Sequence, residues 1–136
     1  MTLRCLIVDD SPCFLDAARG LLEREGIAVV GAVSNSAEAL RRAQELQPDV
    51  VLLDIDLGGE SGFELARRLD REAGLAAARV ILTSTHAEQD FAELIAASPA
   101  AGFLSKSALS AGAIRAMLAG RGDRDAGTGV GAPAET

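Results

Sequence analysis

Six polar side chains have the types and the spacing to hold a divalent cation beside a nucleophile: Asp9, Asp10, Asp54, Thr83, Ser84 and Lys106. Each follows a short apolar run: Leu3–Val8, Val50–Leu53, Val80–Leu82 or Gly102–Leu104. Three carboxylates brought together repel one another and lose ionisation unless a cation joins them. Mg2+ suits such a set, because it takes oxygen ligands, accepts one or two carboxylates and completes its shell with water and phosphate oxygens. Singly, each residue has a plainer reading. An Asp-Asp pair before a helix caps it and complements its dipole, an aspartate after a strand can mark a turn, and a lone lysine is usually solvated. Their joint occurrence at four strand ends is what favours chemistry.

That convergence depends on the elements between them. The chain alternates short apolar runs with longer amphipathic ones, five times over. Leu3–Val8 reads as a strand, and Ser11-Pro12 as an N-cap with proline in the first helical position. Phe14, Ala17, Ala18, Leu21 and Leu22 recur at helical spacing to about Arg24. Ile27–Val33 is a second strand, and Ser36 is expected to cap a helix carrying Ala39, Leu40, Ala43 and Leu46 inward. Val50–Leu53 has no polar alternation, as in a strand covered on both faces of a parallel sheet. A glycine-rich loop, Gly58 to Gly62, leads into a helix bearing Phe63, Leu65, Ala66 and Leu69. Val80–Leu82 is the fourth strand, Phe91, Leu94 and Ile95 mark the fourth helix, and Gly102–Leu104 is the fifth strand. Ile114, Met117 and Leu118 define a fifth helix ending near Gly120.

Five such units predict an α/β fold, a doubly wound five-stranded parallel sheet with right-handed crossovers and helices on both faces. Ligand sites in these folds lie beyond the carboxyl ends of the strands, where the polar residues collect. Residues 1–120 are expected to form this one domain. Residues 121–136 are rich in Gly, Asp and Ala, bury too little to offset their ordering entropy, and are expected to be a disordered tail.

Composition narrows the function further. The 136 residues carry a formal charge of −7 and no Lys/Arg block, which argues against direct nucleic-acid binding. Cys5 and Cys13 have no C-x-x-C or Cys/His company and read as ordinary reduced thiols. The apolar stretches are too short to span a membrane, so the cytoplasm is the expected compartment. His86, the only histidine, reads as a surface-loop residue.

The pattern Val8-Asp9-Asp10, Leu53-Asp54, Leu82-Thr83-Ser84 and Phe103-Leu104-Ser105-Lys106 resembles the receiver domains of two-component response regulators, in order and spacing, over roughly residues 3 to 119. The resemblance implies the strand order 2-1-3-4-5. It implies that Asp54 takes a phosphoryl group from a sensor histidine kinase, with Mg2+ held by Asp9, Asp10, Asp54 and the backbone carbonyl of Asp56. Thr83 and Lys106 would contact the phosphoryl oxygens. Thr83 and Phe103 would form a switch that alters the face made by the fourth helix, fifth strand and fifth helix, which would meet a downstream protein or a second copy of the chain. Such a domain is not an enzyme beyond catalysing its own phosphorylation and slow dephosphorylation.

Two departures from the family stand out. Gly58 replaces a usual proline, so the loop is expected to be more mobile. Ser107 follows Lys106 where proline is usual, so a trans peptide and a less firmly aimed lysine are expected, a non-proline cis bond costing about 3 kcal/mol. Asp56 and Thr85 resemble positions that tune the lifetime of the phosphoryl group. These departures leave open a degenerate receiver that only binds protein. A haloacid-dehalogenase-type phosphatase is disfavoured, because Leu53-Asp54-Ile55-Asp56 lies on the third strand rather than the first. The loop Asp56–Gly62 looks like loops in receivers joined to helix-turn-helix domains. A piece of a transcription regulator therefore stands beside the favoured stand-alone form.

Overall fold

The computed structural model describes residues 2–76, 79–85, 93, 95 and 100–127. Five strands form one sheet: β1 Arg4–Val8, β2 Ala28–Val33, β3 Val50–Asp54, β4 Val80–Ser84 and β5 Gly102–Ser105. Every pairing is parallel and the order is β2-β1-β3-β4-β5, as expected. Four described helices follow: α1 Pro12–Arg24, α2 Ser36–Leu46, α3 Gly62–Ala73 and α4 Ala111–Gly127. The predicted fourth helix lies largely outside the described residues, as does His86, so α4 corresponds to the fifth helix of the sequence reading.

Residue alternation sorts the core into two layers. Leu6, Val8, Val51, Leu53, Val80 and Leu82 join Leu40 of α2 and Leu65 and Leu69 of α3 on one face. Cys5, Ile7, Val50, Leu52 and Ile81 join Leu22 of α1 and Ile114 of α4 on the other. All five residues of β3 are buried, whereas β2, at the sheet edge, alternates buried with half-buried positions. Each fully buried leucine stabilises the fold by about 2 kcal/mol relative to exposure. Strand order reverses between β1 and β3, which opens a crevice at their carboxyl ends.

Of the boundaries that differ from expectation, four have a clear local reason. The amide of Ile27 donates to Leu22 O at 2.9 Å to close α1, so β2 begins at Ala28. Asn35 rather than Ser36 caps α2, its side chain accepting from the Glu38 amide. The fourth strand runs on through Thr83 and Ser84, which pair with Leu104 and Ser105. The last helix continues to Gly127 instead of ending near Gly120. No proline interrupts that stretch, and a glycine in a helix costs only about 1 kcal/mol. Among the described residues no helix is long and apolar enough to cross a membrane.

Candidate phosphoacceptor site

The site stands on the crevice. Asp9 directly follows β1, Asp54 ends β3, Thr83 lies in β4 beside Asp54 in register, and Lys106 opens a short 3-10 turn after β5. The carboxylate oxygens of Asp9, Asp10 and Asp54 fall within 4.8 Å of one another. Asp9 is fully buried and Asp54 is 5% exposed, whereas Asp10 is exposed at the rim. The structure thus brings together the three acids, Thr83 and Lys106.

Each of the two buried acids is held by the backbone that follows it. Asp9 Oδ1 accepts from the Ser11 amide at 2.9 Å, and Asp54 Oδ1 from the Asp56 amide at 3.1 Å. Ser11 in turn caps α1, its hydroxyl accepting from the Phe14 amide, with Pro12 in the first turn. Lys106 spans the pair. Its Nζ donates to Asp54 Oδ2 at 3.2 Å and forms an ion pair with Asp9 Oδ2 at 2.7 Å. The expectation of a poorly aimed lysine is therefore corrected. The described residues contain no cis peptide, yet the ammonium reaches both carboxylates and rests 4.6 Å from the centre of the Phe14 ring, within cation–π range.

Burial pushes the Asp54 carboxyl above its ordinary range; the Asp56 amide opposes this, Asp9 adds to it, and Lys106 offsets part. For Lys106, burial is the largest single influence and lowers its pKa. Its contacts with Asp9 and Asp54 together outweigh that, and the ammonium is held above its usual value. With all groups ionised, the three carboxylates and one ammonium leave two negative charges in excess. An all-oxygen donor set and a double negative excess fit a hard divalent cation.

Residues 5–119 match the family model described as the response regulator receiver domain. The chain belongs to that family. Receivers are regulatory modules, and the family generally uses Mg2+. This receiver is 34% identical over 123 residues to the response regulator GacA of Pseudomonas viridiflava, covering 88% of this chain and 56% of the relative. It is 39% identical over 82 residues to the protein PilH of Pseudomonas aeruginosa, covering 60% of this chain and 67% of that one. Among solved structures, a LuxR-family two-component response regulator from an Aurantimonas species aligns with a TM-score of 0.78 and 37% identity, over 89% of this chain and 88% of that one. The receiver spans about half the length of several curated relatives it matches, 56% of GacA for example.

Three further residues emerge from the geometry. Phe14 read as helix core, yet its ring backs Lys106. Ser11 was read only as a cap, yet its amide orients Asp9. Glu60 had no assigned role, and its carboxylate takes two hydrogen bonds from Ser36. Proximity of Ser11 and Phe14 to the Asp-Asp pair was a usable signal; nothing in the spacing links Glu60 to Ser36. A cavity of about 460 Å3, lined by Ser11, Phe14, Thr85, Lys106 and Ser107, opens beside the lysine.

Phe103, on β5, pairs in register with Leu82 of β4. Its ring is only 9% exposed and belongs to the same buried layer as Leu82. Thr83 follows Leu82 in the strand and so faces the opposite side of the sheet.

Proposed function

We propose that this receiver takes a phosphoryl group on Asp54 from a phosphohistidine of a sensor histidine kinase, in a Mg2+-dependent step, and thereby changes its protein contacts. The observation that carries this reading is the meeting of Asp9, Asp10 and Asp54 oxygens within 4.8 Å, with Lys106 bonded to Asp54 at 3.2 Å. Asp9, Asp10, Asp54 and the backbone carbonyl of Asp56 would hold the cation. When bound, Mg2+ neutralises charge on the acceptor and on the phosphoryl oxygens.

An Asp54 oxygen attacks phosphorus as the phosphorus–nitrogen bond breaks, and the electron pair leaves on the imidazole of the donor. Lys106 contributes a fixed positive charge to the equatorial oxygens, and the Thr83 hydroxyl donates to one of them. The cavity beside Lys106 gives the donor side chain an approach. The receiver catalyses only its own phosphorylation and slow dephosphorylation.

Phosphorylated Asp54 would draw Thr83 and shift the end of β4, changing how Phe103 packs beneath the face formed by β5 and its flanking helices. A downstream protein or a second copy would read that face in the cytoplasm, and the same switch would serve a longer regulator equally well. Phe103→Leu is expected to weaken the dependence of partner binding on phosphorylation.

Intact-mass measurement after incubation with acetyl phosphate and Mg2+ tests the chemistry. Wild type should gain one phosphoryl mass and Asp54→Ala none. A gain in both, or in neither, would overturn the assignment.

A further inference from the structure

The turn after β3 carries Asp56 and closes on itself. The Gly62 amide donates to Ile55 O and the Leu57 amide to Glu60 O, both at 3.0 Å, and Asp56 bridges Ser61. At its tip, Gly58 and Gly59 take φ of 62° and 102°. Two adjacent glycines give the tip little resistance to reorientation, and no proline stiffens it. The near side of the turn is seated on the sheet: the Ile55 amide donates to Thr83 O at 3.0 Å, and Ile55 and Leu57 are buried in the core. Its exposed far side, from Gly58 to Ser61, needs a further anchor.

Glu60 supplies one. Its Oε1 accepts from the Ser36 amide at 3.0 Å and from the Ser36 hydroxyl at 2.9 Å, across 24 residues of sequence. The hydrogen bonds hold its carboxyl below the usual range. Ser36 is buried in the first turn of α2, and the Asn35–Glu38 cap fixes that turn independently. A carboxylate at a helix N-terminus is favoured by the exposed amides and the dipole. On the inner side of the same turn, Gly58 lies so close to Asp10 that a Cβ there would stand 3.1 Å from Oδ2. Glu60 grips α2 on one side while Gly58 rests against a carboxylate of the acidic cluster on the other.

We propose that Glu60 is a positioning residue of the Asp54 site, anchoring the loop to the N-terminus of α2 so that the Asp56 backbone and Gly58 are set against the acidic cluster. This rests on the reading of the site as a Mg2+-dependent acceptor. It replaces the expected loose loop with one held from outside, through a contact that never touches a reacting group.

Three proteins test it: wild type, Glu60→Ala and Glu60→Gln. Glutamine keeps an acceptor oxygen but no charge. Mg2+ affinity is measured by calorimetry with the metal alone, and amide hydrogen exchange at Asp56 and Leu57 is measured in metal-free protein. Glu60→Ala should bind Mg2+ about 10-fold more weakly, the lower end for loss of a supporting partner around metal ligands. Its Asp56 and Leu57 amides should exchange at least several-fold faster, while amides of β3 keep their protection. Glu60→Gln should restore most of both. A Glu60→Gln protein that loses Mg2+ affinity as Glu60→Ala does, while its Asp56 and Leu57 amides keep wild-type exchange, would assign the effect to charge at a distance and overturn positioning. So would a Glu60→Ala protein that is merely less stable, with Mg2+ affinity and loop exchange unchanged. Wild type that binds no Mg2+ would instead overturn the acceptor reading, and this inference with it.

Discussion

Lys106 bridges Asp9 and Asp54: its Nζ stands 2.7 Å from one carboxylate and 3.2 Å from the other. The first and third strands thus present acids to a single ammonium delivered from the end of the fifth. Among the described residues it is the one cation paired with this cluster, so it carries the compensation that a bound divalent ion would otherwise share.

Lys106→Met should therefore leave the carboxylates facing one another. In EDTA near neutral pH the variant is expected to lose about 2 kcal/mol, less than for a fully buried pair because the lysine side chain is partly exposed. Mg2+ or a lower pH should return part of that loss, the first by neutralising the acids and the second by protonating them. Urea unfolding with and without Mg2+ reads it, and an unchanged midpoint in EDTA would deny the bridge any part in stability.

Asp54→Asn should act in the opposite sense. The pKa of Asp54 is raised in the folded protein, chiefly by burial, so the native state holds that proton more tightly than the unfolded chain does. The stability this gives is complete below the unfolded pKa and is lost as pH rises through the folded one. At neutral pH without metal, asparagine removes the penalty. A gain of about 1 kcal/mol, some 3 °C in Tm for a domain of this size, should shrink as the pH falls. A lower Tm than wild type across that range would contradict it.

Gly62→Ala should be among the most damaging single-atom additions in the chain. A Cβ there would overlap the carbonyl oxygen of Asp54 and stand 2.7 Å from Ile55 Cα. Backbone must move, at a cost of about 2 kcal/mol or more, and the acceptor moves with it. Gly58→Ala should cost about 1 kcal/mol, because its φ is positive and Asp10 is close. Chemical denaturation ranks the two, and equal stability would remove the distinction.

The two thiols should separate cleanly under a thiol-specific reagent at mildly alkaline pH. Cys13 is exposed and should react promptly. Cys5 is buried and its pKa is pushed up to about 12 by burial, so it should stay silent until urea unfolds the sheet. Two equivalents labelled at native rates would show that β1 is not covered as described.

Strand composition made the architecture legible. Val50–Leu53 could only be central, and the polar residues at four strand ends then had to share an edge. Contacts that depend on packing distance were less visible. Ser36 looked like a cap because of its type, but Asn35 takes that place and frees the serine for Glu60. Lys106 looked poorly constrained from its serine neighbour, whereas its aim is set by Asp9, Asp54 and Phe14. The far end of α4 was placed too early, since scattered glycines weaken a helix without ending it.

The bridge of Lys106 to Asp54 joins positions 52 residues apart, and its reach to Asp9 spans nearly the whole domain. A nascent polypeptide therefore cannot form this bridge until β5 has docked and delivered Lys106 to the two acids.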